Sequence, residues 1–296
     1  MRRAVLWLLA LVAVLGGATW WVLGDLDDTL VTNDVHMLSG VGGNVGVLLT
    51  PEGVAVVDTM MLVGQGRAIQ KHIRALTPQP IVAVLNTHYH FDHTHGNPAF
   101  PVGTKVVATA KTLEHLRDLD AAFWKDSPAR DLLPNDTFDG ATREMRLGGK
   151  TIRAYHFGRG HTDGDMVVLF VEDRVLHAGD LFFNGHYPNI DLEAGGSVQQ
   201  WAGTLDKVLA LPFDVVIPGH GPVASRRALE RFRDCMASLW TQTTAIRDRG
   251  GSLDDAIQLI DIDQFDLHPL WFAPMLNRGF VVRRAWEEAT AARSRR

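Results

Sequence analysis

The 296-residue sequence contains one cysteine, Cys235, and this scarcity excludes several kinds of protein. A single cysteine cannot form a disulfide within the chain, so the small disulfide-stabilised secreted folds are excluded. Structural zinc sites rich in cysteine are excluded for the same reason. Because Cys235 stands in a segment with helical spacing, we interpret it as a small buried hydrophobic side chain rather than a reactive thiol.

Clusters of positive charge are also scarce. The sequence has 29 Lys and Arg against 34 Asp and Glu, a formal net charge of -5 at pH 7, and no basic run precedes the last few residues. We interpret the closing Arg293–Arg296 as a solvated tail. Nucleic-acid binding needs a basic patch that neutralises phosphates, so we expect no nucleic-acid partner and disfavour a nuclease. The expected partner is a small-molecule substrate, and the oligomeric state is left open.

The segment from Ala4 to Leu23, which directly follows Arg2 and Arg3, contains no charged residue. This run can span a bilayer core of about 30 Å and predicts an N-terminal apolar helix, as a signal peptide or membrane anchor within residues 1–28. A helix packed inside the domain is the alternative. With both arginines on the cytoplasmic side, residues 29–296 would form one hydrolase domain in the periplasm or on the outer face of the inner membrane. Membrane contact would then occur through the N-terminal segment if it is uncleaved.

The most informative segment that is present runs from His88 to His93 and holds three histidines and one aspartate. Imidazole and carboxylate are preferred ligands of divalent metals such as zinc. The segment follows Ile81–Leu85, a short apolar β-branched run that predicts a buried strand. Side chains two apart in extended chain point the same way, so His88 and His90 can converge on one ion. Asp92 and His93, past the bend, can face a second point nearby.

Hydrophobic spacing and turn residues predict alternating strands and helices over the rest of the chain. Residues 126–139, which contain two prolines, predict a surface excursion. The predicted strands are 45–49, 54–57, 105–108, 166–171, 174–177 and 215–217, with a hairpin over 145–157 that turns at Gly148–Gly149. The predicted helices are 66–76, 111–125, 198–209, 226–247, 253–260 and 280–292.

Four further metal-ligand residues stand where apolar runs end. They are Asp58, His161 in Gly160-His161-Thr162, Asp180 after Gly179, and His220 in Gly219-His220-Gly221. Each alone is typical of a turn or a helix cap. These residues recur after buried strands and beside glycines that permit tight turns. This recurrence indicates that they lie together at one edge of the fold.

This ordered set resembles the pattern of the metallo-β-lactamase-fold hydrolases. That pattern is a strand-end Asp, then His-x-His-x-Asp-His, Gly-His-Thr, Gly-Asp and Gly-His-Gly, and the resemblance covers about residues 31–225. It implies an α/β fold of the four-layer αββα sandwich type, with metals bound at one edge.

The resemblance also implies a role for each matching residue. The first of two zinc ions would bind His88, His90 and His161, and the second would bind Asp92, His93 and His220. Asp180 would bridge the two ions, and Asp58 would orient a ligand or its loop from behind. Asp92 and Asp180 would be the catalytic carboxylates around a metal-bridging hydroxide. Substrate contacts are expected from the loop after Asp180, at Asn184, His186, Tyr187 and Asn189.

The family hosts many reactions, so the motifs leave the substrate open. Aspartate at position 180, where the common secreted β-lactamases have cysteine, favours the glyoxalase II and general metallohydrolase branch. Export favours a periplasmic hydrolase of an ester, lactone, thioester or amide bond. One alternative is a β-lactamase. Another is a mononuclear iron enzyme like the persulfide dioxygenases, since these nitrogen and oxygen ligands would also accept iron or manganese. A binding module without catalysis is disfavoured by the complete ligand set.

Overall fold

A computed structural model of the chain describes residues 25–294. The predicted N-terminal apolar helix, and with it the choice between signal peptide and anchor, lies outside the described residues. Within the described range, no helix combines the length and the apolar character needed to cross a membrane.

The first sheet has seven strands in chain order, of which β1 to β4 pair antiparallel and β4 to β7 pair parallel. The strands are β1 (Asp27–Leu30), β2 (Val35–Ser39), β3 (Val45–Thr50), β4 (Gly53–Val57), β5 (Ile81–Leu85), β6 (Lys105–Thr109) and β7 (Asp136–Phe138).

The second sheet has six strands in the order β13-β12-β11-β10-β9-β8, and only β11 and β12 pair parallel. The predicted hairpin is confirmed, because Leu147 pairs with Lys150 and both turn glycines, Gly148 and Gly149, have the positive φ that such a two-residue turn requires. The strands are β8 (Thr142–Leu147), β9 (Lys150–Tyr155), β10 (Val167–Phe170), β11 (Val175–His177), β12 (Val215–Ile217) and β13 (Ala224–Ser225).

The α-helices of the described residues follow the predicted positions closely, except for the short helix over Phe91–Thr94, which the sequence did not predict, and a break in the helix predicted over 111–125. They are α1 (Val63–Leu76), α2 (Phe91–Thr94), α3 (Ala110–Asp118), α4 (Ala121–Trp124), α5 (Val198–Leu209), α6 (Arg226–Asp248), α7 (Leu253–Leu259) and α8 (Arg278–Ser294).

Alternation along the strands builds four layers. On β10, Val168 and Phe170 face the other sheet, whereas Val167 and Leu169 face helices α5, α6 and α8. On β4, Ala55 and Val57 likewise join the core between the sheets. Their neighbours Val54 and Val56 pack against α1 through Ile69 and Ile73. The predicted αββα sandwich is confirmed, and Cys235 is buried on α6 among the apolar side chains of the helical layer.

One local prediction is wrong and another is incomplete. The predicted helix over 111–125 is broken into α3 and α4 at Leu119 and Asp120. The Asp120 carboxylate accepts hydrogen bonds from Trp124 Nε1 (2.8 Å) and His95 Nε2 (2.7 Å). These contacts hold Asp120 at the break between the two helices. Most residues of the predicted surface excursion over 126–139 are exposed, but its end forms β7, which extends the first sheet parallel to β6.

Candidate metal centre

The proposed ligands follow strands whose carboxyl ends meet at one edge of the sandwich. Strands β4 and β5 pair parallel, as do β11 and β12, so the chain leaves each pair in one direction. Asp58 follows β4, the segment with His88 follows β5, Asp180 follows β11 and His220 follows β12. A backbone hydrogen bond from Asn44 N to Gly219 O (2.8 Å) joins the two sheets at this edge.

The first group of ligand atoms comes from His88, His90, His161 and Asp180, and these atoms all lie within 4.8 Å of one another. His90 Nδ1 lies 2.8 Å from His161 Nε2. His161 Nδ1 donates to the carbonyl oxygen of Asn189 (2.9 Å), so its Nε2 faces the group with a free lone pair.

The second group comes from Asp92, His93 and His220, again within 4.8 Å of one another. His220 Nε2 lies 3.4 Å from both His93 Nε2 and Asp92 Oδ2. The His93 ring also requires glycine at position 43, because a Cβ there would overlap the imidazole.

Asp180 lies between the two groups and turns one oxygen toward each. Its Oδ1 is 3.1 Å from His93 Nε2 and 3.4 Å from His220 Nε2. Its Oδ2 is 3.5 Å from His161 Nε2 and 3.8 Å from His88 Nε2. This is the placement that a bridging carboxylate needs.

Asp58 supports the His cluster from behind and is fully buried. Its Oδ2 accepts hydrogen bonds from His93 Nδ1 (2.8 Å) and from the Thr87 hydroxyl (2.7 Å). The Thr87 oxygen lies 3.1 Å from His88 Nδ1 and can accept its proton. These contacts leave Nε2 of His88 and of His93 as the free nitrogens facing the site.

The electrostatics of the site favour cations. Burial lowers the pKa of His161 to about 4, and burial together with His93 lowers the pKa of His88 well below its ordinary value. Both rings are therefore neutral at pH 7 and can donate lone pairs. Burial alone would raise the pKa of Asp180, but the surrounding imidazoles, His93 foremost, outweigh it and hold that pKa well below its usual range.

The residues fit two metal ions. His88 Nε2 and Asp180 Oδ1 are buried and have no hydrogen-bond partner, although Asp180 Oδ1 lies close to His93. Unpaired buried polar atoms of this kind are costly and need an explanation. Ligand atoms around one zinc ion lie roughly 3–4 Å apart, and several distances within the two groups, from 3.4 to 3.8 Å, fall in that range. Five imidazoles and two carboxylates at this spacing match what zinc binds.

A family model for the metallo-beta-lactamase superfamily matches residues 38–220, which is more than half of the chain and contains all seven proposed ligands. The chain belongs to the metallo-beta-lactamase superfamily. The family resemblance predicted from the order of the motifs is thereby confirmed.

Sequence relatives within the superfamily have different activities. The linear primary-alkylsulfatase of Pseudomonas sp. (strain ATCC 19151) is 25% identical over 258 residues, covering 72% of this chain and 48% of the relative. The metallo-beta-lactamase IND-1 of Chryseobacterium indologenes is 28% identical over 202 residues, covering 64% and 80%. The chain thus spans about half the length of the alkylsulfatase, so activity does not transfer with the match.

Solved structures match the fold at low sequence identity. The inverting sec-alkylsulfatase Pisa1 from Pseudomonas sp. has a TM-score of 0.70 at 17% identity, covering 88% of this chain and 50% of that one. A metallo-beta-lactamase from Pontibacter korlensis has a TM-score of 0.60 at 22% identity, covering 72% and 99%. These likenesses support the αββα architecture.

The four residues predicted to contact substrate lie at the metal edge, but their described contacts are to the protein. The Asn184 side chain donates to Pro222 O (2.9 Å) in the loop of His220, and Asn189 supplies the carbonyl that orients His161. His186 and Tyr187 contact the backbone of His268. Substrate contact by these residues stays a prediction.

Asp165 lies in an environment that the sequence did not predict. A solvated turn or cap is expected from its place after His161, but it is buried. Its carboxylate accepts hydrogen bonds from the backbone N–H and the hydroxyl of Thr162, and burial raises its pKa to about 8. It therefore holds the turn that carries His161 from the inside of the protein.

Asp191 is a supporting residue that sequence reasoning missed. Its Oδ2 accepts hydrogen bonds from His90 Nε2 (2.9 Å) and the Tyr89 hydroxyl (2.5 Å), and its Oδ1 accepts from Ala194 N (3.0 Å). This leaves Nδ1 of His90 facing the first group. Nothing in the sequence connects Asp191 to a histidine about one hundred positions earlier, since the contact depends on tertiary structure.

We expect Asp191→Asn to weaken zinc binding by about 10–100-fold, because the amide replaces the anionic acceptor that orients His90. The measurement is zinc affinity by competition with a chromophoric chelator. Asp28→Asn is the matched control, since Asp28 also bonds a histidine, His36, at 2.8 Å but lies on β1 away from the site. Wild-type zinc affinity in Asp191→Asn would show that His90 needs no such support.

Proposed function

We propose that this chain is a di-metal hydrolase that cleaves an ester, lactone, thioester or amide bond. The observation that carries the proposal is Asp180, whose two oxygens face two complete groups of ligand atoms. Structural zinc sites are usually closed and rich in cysteine. This site has no cysteine ligand, and His90 and Asp92 at its rim remain partly exposed, which supports access by a substrate.

In this proposal the first metal would be held by His88, His90 and His161, the second by Asp92, His93 and His220, and both by Asp180. Bound zinc would supply a water of near-neutral pKa and polarise the substrate oxygen. The remaining steps belong to the protein's own residues, and they concern orientation and proton transfer.

The protein orients the ligands through hydrogen bonds behind them. Hydrogen bonds to Asp58 and Asp191 fix the orientation of the His93 and His90 rings. The ligands therefore need little reorganisation when substrate binds. Asp92 has more solvent access than Asp180, with 12% of its side chain exposed against 3%. We assign to the Asp92 carboxylate the proton that leaves the attacking water, because of the two catalytic carboxylates it is the one at the open side.

Sulfate-ester hydrolysis is the second candidate. It is favoured by the match to an enzyme named as a linear primary-alkylsulfatase over 72% of this chain. β-Lactam hydrolysis is supported by the match to IND-1. The completeness of both ligand groups favours a di-metal hydrolase over a mononuclear iron oxidoreductase.

An exported location remains part of the proposal. It depends on Arg2, Arg3 and the apolar run after them, which lie outside the described residues. Recovery of the full-length chain in the cytosolic fraction would contradict it.

A substrate panel on the full-length, zinc-loaded protein tests the proposed reaction. The panel contains a p-nitrophenyl ester, a thioester, a lactone, a β-lactam, an alkyl sulfate and a phosphodiester. We expect turnover of at least one carbonyl substrate. Turnover of the alkyl sulfate alone would replace the proposal by the second candidate, and turnover of none would contradict a hydrolase of these classes.

A further inference from the structure

The segment from Leu267 to Leu276, between α7 and α8, is fixed to the metal edge. His268 N donates to Gly185 O (3.0 Å), and Tyr187 N donates to His268 O (3.1 Å). These bonds attach the segment to the loop that follows Asp180. Its position relative to the ligands is therefore set by backbone contacts.

Two aromatic residues occupy the tip of a tight turn in this segment. Leu270 and Ala273 pair across the turn, so Trp271 and Phe272 lie at its tip. The Phe272 ring centroid is 5.9 Å from that of His220. The Trp271 ring is 5.6 Å from Phe272, edge to face. Trp271 thus lies two ring contacts from a proposed metal ligand.

The exposure of this segment is unusual for its residue types. Trp271 is 72% exposed and Met275 is 63% exposed, whereas each of the other four tryptophans among residues 25–294 is buried or half-buried. A large apolar side chain left in water forfeits the stabilisation that burial would provide. Phe91, between His90 and Asp92, is also exposed. Exposed apolar groups beside a candidate catalytic site are typical of ligand recognition.

Fixed positive charge is missing from the chain segments that form this edge. Neither Lys nor Arg occurs in the ranges 86–104, 160–173, 180–196, 215–225 or 267–277. A substrate with a carboxylate away from the reacting bond would find no basic side chain from these segments to pair with it. Arg159 and Arg284 reach these loops from other elements, but their guanidinium groups donate to the backbone carbonyls of Gly195, Gly196 and Ile190. The segments that form this edge therefore favour apolar contact over pairing with an anionic substrate group.

We propose that Trp271, Phe272 and Met275 form an apolar wall that binds the hydrocarbon group of a neutral ester. This substrate class rests on the proposed hydrolytic function and narrows it. In the reaction, water adds to the acyl carbon, the bond from that carbon to the leaving oxygen breaks, and the protons of water end on the acid and the alcohol. The wall takes no part in these steps and selects the acyl group.

A series of p-nitrophenyl esters from acetate to octanoate tests the wall on the full-length, metal-loaded protein. We expect kcat/KM to rise by about two- to fourfold for each added methylene. The upper value is the gain expected when one CH₂ moves completely from water into an apolar environment. Trp271→Ala should lower the octanoate-to-acetate ratio of kcat/KM by about tenfold, mainly through KM. Trp271→Phe should restore most of the ratio, because it returns an aromatic surface.

Leu259→Ala is the matched control, since Leu259 is an exposed apolar residue at the end of α7, outside the segment. It should keep the wild-type ratio. An unchanged ratio in both Trp271→Ala and Leu259→Ala, with esters still hydrolysed, would overturn the wall and leave the proposed function standing.

A binding measurement separates the two proposals if no ester is hydrolysed. The probe is 2-decanone, a neutral ketone that cannot be hydrolysed, and the readout is the heat of binding in isothermal titration calorimetry. A saturable change that is present in wild type and missing in Trp271→Ala would support the wall although the proposed hydrolysis had failed. Identical titrations of the two proteins would overturn the wall.

Discussion

Replacing Asp180 with asparagine is expected to lower hydrolytic turnover by about a thousandfold or more, which corresponds to about 4 kcal/mol of lost transition-state stabilisation. The reason is its place between the two groups, with Oδ1 toward His93 and His220 and Oδ2 toward His161 and His88. Loss of a residue that only supports a ligand costs about 10–100-fold. A carboxylate shared by two metals should cost more, because both ions lose an anionic ligand at once.

The fold should survive this substitution. Asp180 lies in a short 3₁₀ turn after β11, outside the sheets and the apolar core. Asparagine has nearly the same shape, but it replaces the carboxylate that faces His93 and His220 by a neutral amide. Circular dichroism of the metal-free protein should therefore match the wild type, whereas its thermal midpoint at pH 7 should fall, because a carboxylate whose pKa is lowered in the folded protein contributes to stability above that pKa. Alanine at the same position should give the same loss of turnover.

The matched control is Asp214→Asn. Asp214 is an exposed carboxylate that pairs with Arg174 on the surface, and such pairs contribute little to stability. Its turnover should remain within about twofold of wild type. Retention of more than a tenth of the activity by Asp180→Asn, with both metals bound, would show that Asp180 is not the bridging ligand.

Complete removal of metal by a chelator is expected to abolish hydrolysis, and zinc should restore it. The ligand groups consist of imidazoles and carboxylates, and no serine, threonine or cysteine nucleophile is among them. Without the ions, these side chains lack the Lewis acid that lowers the pKa of a bound water, so they cannot activate water by themselves. The measurement is the rate on the best substrate of the panel, before chelation, after dialysis and after titration with zinc.

Magnesium and calcium serve as controls for this restoration. Both ions prefer oxygen ligands, whereas five of the seven proposed ligands are imidazole nitrogens, so neither ion should restore the rate. Hydrolysis that persisted after mass spectrometry had shown the protein to be free of metal would contradict metal catalysis altogether.

The sandwich and the edge that holds the site could be predicted because they depend on local patterns. Apolar β-branched runs such as Val54–Val57 end directly before a polar residue, and the parallel pairing of β4 with β5 then brings Asp58 and His88 to one edge. Imidazole and carboxylate at a spacing of two residues are chemically specific signals. These signals can be recognised even though the residues that meet at the site are far apart in sequence.

The missed features depend on contacts that are distant in sequence. Asp191 reaches His90, and Asp120 breaks a helix by accepting hydrogen bonds from His95 and Trp124. Strand β7 has only three residues and owes its place to pairing with β6. None of these contacts leaves a periodic signal, because each is decided by the packing of neighbours that the sequence does not place side by side.

The proposed apolar wall is a functional feature that the sequence does not predict, for the same reason. In sequence, Trp271 stands in a mostly apolar segment that contains two prolines and no motif. Only the backbone contacts between His268 and the loop after Asp180 bring it to the catalytic edge. Substrate preference is consequently the property least accessible from the motifs, which specify the metal chemistry alone.

The most direct test of the account is the metal content of the purified full-length protein, measured by inductively coupled plasma mass spectrometry against amino-acid analysis. Two ligand groups joined by Asp180 predict two zinc ions per chain, and fewer in Asp180→Asn. One iron ion per chain, or one zinc ion that Asp180→Asn leaves in place, would contradict the di-metal centre.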